Sequence, residues 1–523
     1  MPPSPAAPFA GQPPAPPLAR AAWVIAAVVL LAHLAANAWS PYGVHRDEFL
    51  YMAMGEHLRL WRMDFPPFIA LLSRGTRALF GDSLVAVRLG PALAGAALVL
   101  SAAAIARELG GRRLAQVIAG LAVALAPVFL RPGNLFQPVV FDQLWWTLAL
   151  WALLVVRRTG DRRWWLAVGA ALGVGLLTKF SIAFIALGIA GAALLERHRR
   201  DLLTPWPWAG ALVALLLGSP SLVGQLRLDF PIGWQMRDLQ AGQLDRLSPL
   251  DFLAGQPLLV GPSLLLAAAG VTWLVAGPAR ERTREAGLAV AIAWLLLSLG
   301  RGKNYYGAPV YPLLFAAGAV ALASVERPRL RRGLAAAAVA GIVGYGAVTL
   351  PLGLPIVPPE PMARYARALG IAEATRTNYG TTLPLPQDYA DMLGWPELVA
   401  ATARVWNALP PERRARAVLV GDDYGEAGAL DYYGPRHGLP PAVSADGSYW
   451  FFGPGRLPGE TVVALGGTVE GIAPFFEHCE LAATAGTPWM VEGQQRTQIV
   501  LCERPRRPLQ EIWPLVHPAL ETD

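Results

Sequence analysis

The run Ala21-Ala-Trp-Val-Ile-Ala-Ala-Val-Val-Leu-Leu-Ala-His-Leu-Ala-Ala-Asn-Ala-Trp39 is followed, after three residues, by Gly43-Val-His-Arg-Asp-Glu-Phe-Leu-Tyr-Met-Ala-Met-Gly-Glu-His-Leu58. The first stretch approaches the roughly 20 apolar residues that a helix needs to cross a bilayer. It exceeds a secretory h-region, and no small-residue cleavage site precedes Tyr42, so it reads as a retained first span. The second stretch puts two adjacent carboxylates, Asp47 and Glu48, where that span ends. Ionisable groups at a membrane boundary are costly, which makes them site candidates by default.

The rest of the chain repeats the first pattern. Of 523 residues 54% are hydrophobic and only 15% charged, with a mean hydropathy of +0.39. That is too apolar for an ordinary soluble protein and too long for one domain. The net charge of +7 sits in short arginine clusters between apolar runs rather than along a face with interleaved aromatics, which argues against a nucleic-acid partner. The clusters follow topology instead. Further apolar runs lie at about 84–106, 114–130, 135–156, 164–178, 180–195, 206–224, 252–277, 286–299, 305–325 and 333–355, giving about eleven transmembrane helices with the first. If these alternate from a cytoplasmic N-terminus, the inner loops carry 17 arginines and the short outer loops only 7 Lys or Arg, in keeping with the positive-inside rule.

Residues 1–19 hold eight prolines and few large apolar side chains, and are expected to form a disordered cytoplasmic tail. Residues 20–356 form the membrane domain, with a first outer loop at 40–82. Residues 357–523 form an extracytoplasmic α/β domain, with strands expected at 416–421, 448–452 and 460–465 and a helix at 361–374. Both cysteines, Cys479 and Cys502, fall in this tail, where a structural bridge is favoured over two free thiols. Residues 46–62 read as an amphipathic helix at the membrane surface, its stripe including Phe49, Ala53 and Trp61.

The unusual polar residues share one expected side. They are Asp47 and Glu48, Asp64 before Pro66-Pro67, Arg88 in the second span, Asp142 in Phe141-Asp-Gln143, Lys179 in Thr178-Lys-Phe180, and the cluster Gly300-Arg-Gly-Lys-Asn-Tyr-Tyr-Gly-Ala-Pro309. The paired acid, the Asp-x-Pro-Pro turn, Arg88 and the late Lys-x-Tyr-Tyr-x-x-Pro, in that order, resemble the bacterial branch of the protein O-mannosyltransferase family. The lipid A aminoarabinose transferases are relatives with the same membrane fold, called GT-C. The resemblance covers roughly residues 20–330, and Val420-Gly-Asp-Asp-Tyr-Gly-Glu-Ala-Gly428 also looks like the C-terminal region of bacterial members.

The resemblance implies an inner-membrane glycosyltransferase that takes a sugar from a polyprenyl-phosphate donor and passes it to a lipid, glycan or protein acceptor at the outer face. Asp47 is then the general base and Glu48 its neighbour. A carboxylate that deprotonates the attacking hydroxyl contributes about 10²- to 10⁴-fold. The leaving phosphate needs charge stabilisation more than a proton, which suits Lys179, Arg301 and Lys303 with Tyr305 and Tyr306 beside them. Asp64, Arg88 and Asp142 are supporting residues, Arg88 as the partner of a carboxylate.

Duller roles stand beside these. The acids could serve a helix dipole, Asp64 a turn, Lys179 could snorkel, and Arg301 and Lys303 could anchor at the interface. The tail segment 421–428 lacks the G-x-G-x-x-G spacing and carries an acidic pair, which argues against a nucleotide. No H-x-x-x-H or H-E-x-x-H pair supports a zinc enzyme. A divalent ion at Asp47, Glu48 and Asp142 is the one cofactor left open. The competing reading is a membrane transporter or lipid flippase, which should carry discontinuous helices and acids near mid-membrane.

Overall fold

The computed structural model describes residues 15–518, so the expected disordered tail lies, up to residue 14, outside the described residues. Two compact units divide the chain. One comprises residues up to Ala38 with Arg88–Leu222 and Leu244–Leu354; the other comprises Trp39–Val87, Val223–Gln243 and Pro355–Asp523.

The first unit is helical, and each expected apolar run within it falls on helix. Among the described residues six helices are long and apolar enough to cross a membrane: Arg20–Ala38, Leu89–Glu108, Pro138–Thr159, Pro205–Arg227, Asn304–Ala323 and Pro328–Gly353. The number rises to eight if each of two bent pairs counts as one span. The chain is thus a polytopic helical membrane protein.

The bends have identifiable causes. Arg113–Leu125 and Pro127–Gly133 meet at 62°, where Ala126 is pushed to an extended conformation by the proline after it. The run expected as one span at 252–277 folds back by 116° between Val260 and Ser263. There Gly261 takes a left-handed φ of 53° ahead of Pro262. Helices 164–178 and 182–195 are apolar but short. Arg280–Leu299 carries five charges in its first six residues and falls outside the count. Pro138–Thr159 and Asn304–Ala323 are equally the most enclosed of the six. Small residues let backbones close up around the core: a Cβ on Gly188 would meet the Ala289 carbonyl, and one on Gly318 the Leu266 carbonyl.

The second unit is built on a five-stranded sheet of order β2-β1-β3-β5-β4. Its strands are β1 (Ala417–Gly421), β2 (Ala442–Val443), β3 (Thr461–Leu465), β4 (Phe476–Ala485) and β5 (Thr497–Pro505). β1 is parallel to β2 and β3, whereas β5 runs antiparallel to β3 and β4. Cys479 and Cys502 lie opposite each other on β4 and β5 and are bridged. Val418, Val462, Val500 and Ile512 fill the core beneath.

Two local expectations change. Ser448–Phe452 is not a strand: Gly447–Trp450 is a helical turn, fixed by Tyr449 Oη donating to Asp431 and by reciprocal indole-to-carbonyl bonds between Trp450 and Trp513. Tertiary bonds override the β-preference of an aromatic run. The helix expected over 46–62 spans only Arg46–Glu56, and its apolar face is covered by protein rather than lipid. Phe49 is 1% exposed, with Trp395, Tyr432 and Tyr433 around its ring at 5.5–6.0 Å.

Candidate active site

In the second unit the helix Arg46–Glu56 presents the acidic pair, and its start is fixed by a capping box. The Asp47 amide donates to His45 Nδ1 (3.1 Å), and the His45 amide donates to Glu48 Oε2 (2.8 Å). Glu48 is fully buried in this role. Asp47 points elsewhere: its Oδ1 accepts from the phenol of Tyr424 at 2.9 Å. Arg46 lies over the Tyr424 ring, 4.6 Å from its centroid, and pairs with Asp423 at 3.0 Å. Burial and the neighbouring Asp47 push the Tyr424 phenol well above its usual value, so it stays a proton donor.

The sequence that brings Tyr424 there is Gly421-Asp-Asp-Tyr-Gly-Glu-Ala-Gly428. β1 ends at Gly421, and Asp423 caps the helix Tyr424–Tyr433 in a second capping box with Glu426. Glu426 is buried beside Asp423 and Asp422, which raises its pKa well above the ordinary carboxyl value. The helix start is thus already met by its own carboxylates. Gly425 and Gly428 leave room for the partner helix, since a Cβ on them would strike Arg46 and Phe49 respectively.

Asp64 ties three segments of this unit together. Its Oδ2 accepts from Ser448 Oγ (2.7 Å) and Gln235 Nε2 (3.2 Å), while its carbonyl accepts from Gln225 Nε2 (2.7 Å). Burial raises its pKa despite these donors. This is a structural tie. Below the capping box, His45 Nε2 faces Asp391 Oδ2 at 3.7 Å and Asp388 Oδ1 at 3.9 Å. Burial works against charge on the ring while Asp388, Asp47 and Asp391 favour it and lift the pKa to about 9, in competition with the neutral ring that the Asp47 amide needs as its acceptor. Burial lifts that of Asp391 to about 6.

In the first unit, Asp142 Oδ2 accepts from Ser181 Oγ (2.8 Å) and Oδ1 from Trp146 Nε1 (3.1 Å). Lys179, at the break between helices 164–178 and 182–195, stands over the Tyr306 ring at 4.8 Å, and Tyr305 packs edge-on against Tyr306. These groups come from three separate stretches of sequence. Lys303 begins the 3₁₀ turn Asn304–Val310. Arg301 has a left-handed φ of 53° and lies 3.6 Å from Asp245 in an exposed pair, a backbone state a non-glycine residue seldom takes. Arg88 is fully buried and donates to Asn37 Oδ1 at 3.2 Å.

Of the residues expected to share an ion, Asp47 and Glu48 belong to one unit and Asp142 to the other, and Glu48 is engaged in the capping box. Sequence reasoning missed His45, Arg46, Asp388, Asp391, Asp423 and Tyr424. One signal was legible: a loop at the carboxyl end of a strand in a parallel sheet is where such folds place functional groups, and β1 delivers Asp423 and Tyr424 there.

Comparison with known proteins bears out the resemblance. Residues 64–223 match the family described as dolichyl-phosphate-mannose-protein mannosyltransferase. Undecaprenyl phosphate-alpha-4-amino-4-deoxy-L-arabinose arabinosyl transferase 1 of Pseudomonas fluorescens is 30% identical over 248 residues, 43% of this chain and 44% of its own length. The chain therefore spans less than half of that curated relative. The crystal structure of ArnT from Cupriavidus metallidurans bound to undecaprenyl phosphate aligns over 92% of this chain and 98% of its own, with a TM-score of 0.60 and 18% identity. The archaeal oligosaccharyltransferase AglB from Archaeoglobus fulgidus aligns over 85% of this chain and 69% of its own, at a TM-score of 0.51 and 14% identity. The fold is the one these membrane proteins share.

Proposed function

We propose that the protein is a membrane glycosyltransferase that moves a sugar from a polyprenyl-phosphate donor to an acceptor hydroxyl at the outer face of the inner membrane. The observation that carries this reading is the way Asp47 is held. A carboxylate fixed by a phenol that stays protonated, on a helix whose own cap is met by other groups, is oriented for proton transfer rather than used up in packing. The acceptor O–H bond breaks toward Asp47 as its oxygen bonds to the anomeric carbon, and the bond to the carrier phosphate breaks. The charge left on that phosphate is met by cations; Lys179, with Arg301 and Lys303 on the later segment and Tyr305 and Tyr306 beside them, takes this role.

The partial match to a relative named for transfer from undecaprenyl phosphate-aminoarabinose supports the donor class, and the sequence resemblance to lipid A aminoarabinose transferases makes a lipid acceptor the first to test. The domain plan is 20–356 for the membrane part and 357–523 for the tail. Eleven spans with a cytoplasmic N-terminus, and Asp47 and the C-terminal segment outside the cytoplasm, complete the topology we propose; the arginine distribution supports it.

The test is mass spectrometry of lipid-linked sugars and envelope glycans with and without the protein. A lipid-linked sugar should accumulate, and a glycosylated product vanish, in its absence. Unchanged profiles would sink the reading. In the purified protein, Lys179→Met should raise KM for the lipid donor about tenfold, on the order of one charge-assisted contact.

A further inference from the structure

Beneath the capping box lies a feature that sugar transfer does not explain. Among the described residues, His45, Asp388 and Asp391 offer ligand atoms that all lie within 4.8 Å of one another. His45 is 3% and Asp391 5% exposed. Yet His45 Nε2 and Asp391 Oδ1 are buried with no hydrogen-bond partner, and the ring-to-carboxylate distances of 3.7 and 3.9 Å are too long for hydrogen bonds. Buried polar atoms are nearly always satisfied, and an orphaned imidazole nitrogen facing two carboxylates, one of which keeps an orphaned oxygen of its own, asks for a cation or a water among them.

We propose that His45, Asp388 and Asp391 form a binding site for a divalent transition-metal ion of the zinc or manganese type. The spacing is close to what such an ion needs. Bonds of about 2.1 Å in tetrahedral geometry put neighbouring ligand atoms about 3.4 Å apart; the two ring-to-carboxylate separations of 3.7 and 3.9 Å are near this, and all three ligand atoms lie within 4.8 Å. An imidazole with two carboxylates suits these metals better than magnesium or calcium, which take oxygen donors. Three protein ligands leave one position for solvent or a substrate oxygen.

The site is coupled to the helix start. His45 Nδ1 accepts from the Asp47 amide only in the tautomer that carries its proton on Nε2. A metal ion on Nε2 moves that proton to Nδ1, and the Asp47 amide loses its cap acceptor. One neutral hydrogen bond is exchanged for three metal–ligand bonds, and the residue released is Asp47. The inference stands whether or not the protein transfers sugar, because the ion is read directly.

The experiment is equilibrium dialysis of the full-length, tag-free protein in detergent against Zn²⁺ and against Mn²⁺, with the metal content measured per chain. One ion should bind to the wild type. His45→Gln and Asp391→Asn should lose it, while Asp142→Asn should keep it. Where a buried substitution unfolds the chain, Asp388→Asn at the more exposed ligand should weaken binding at least tenfold with the thermal unfolding of the metal-free protein unchanged. Pulsed paramagnetic resonance of the Mn²⁺ form should show imidazole nitrogen coupling that His45→Gln removes. No ion on the wild type, an ion retained by all three ligand variants, or an ion lost in Asp142→Asn overturns the proposal; water would then be what satisfies the pair.

Discussion

Two buried clusters of charge, one in each unit, are built to different standards. In the first unit Arg157, 4% exposed at its side chain, meets Glu285 through two nitrogens and Asp201 through a third, while Arg162 holds the other oxygen of Asp201 at 2.9 Å. Both acids are engaged, as a buried ion pair must be if desolvation is to be offset. In the second unit His45 and Asp391 are as deeply buried but keep orphaned atoms beside the helix that carries Asp47. A cluster whose carboxylates are held by guanidinium groups fastens helices. One with bonds outstanding is available to something else.

That contrast can be broken from both sides. Asp47→Asn should lower sugar transfer by about 10²- to 10⁴-fold, the worth of a general base, with melting temperature and membrane insertion unchanged. Near-normal transfer would return Asp47 to the class of structural acids. Arg157→Leu strips the buried Glu285 of both its guanidinium bonds and Asp201 of one of two, and should cost about 3–5 kcal/mol of stability, seen as a lower unfolding temperature. Any protein that stays folded should transfer at the normal rate per molecule, and a selective loss of turnover would mean that the cluster does more than fasten.

Tyr424→Phe should cut kcat about tenfold, the worth of one hydrogen bond to a charged group, with KM for the lipid donor and stability held. Loss of stability with normal turnover would make Tyr424 merely a packing residue. The smallest effect concerns Asp431, whose Oδ1 accepts from the Ala442 amide and Oδ2 from Tyr449. Burial raises its pKa to about 6, above the unfolded value near 4, so the folded state binds the extra proton between those limits. The stability of the second unit should therefore be greatest below about pH 4 and fall as pH rises toward 6, by on the order of 2 kcal/mol. Asp431→Asn should flatten that part of the unfolding-temperature curve.

What the sequence made legible was local or statistical. Span length, arginine bias and the pairing of Cys479 with Cys502 needed only composition, topology and two strands of suitable length. The outliers Asp142 and Lys179 were visible because no other residue of 135–156 or of 164–195 is charged. Pairings between distant segments were not visible. Tyr424 reaches Asp47 across 377 positions, and no spacing rule links His45 to Asp388 and Asp391, so the absence of an H-x-x-x-H pair said nothing about a site assembled from distant parts of the chain. The surface helix was misjudged for the same reason: Phe49 and Met52 form an apolar stripe whether lipid or the glycines of Tyr424–Tyr433 cover it.

The second unit draws on the beginning, the middle and the end of the chain, and this sets a clock on its assembly. At about 5–20 residues per second of synthesis, the hydroxyl of Tyr424 emerges roughly 20 to 75 seconds after Asp47. Until then the helix Arg46–Glu56 has neither the aromatic cage for Phe49 nor a hand on its carboxylate. A nascent chain released early therefore holds the acid without the means to aim it, and only a finished polypeptide is armed.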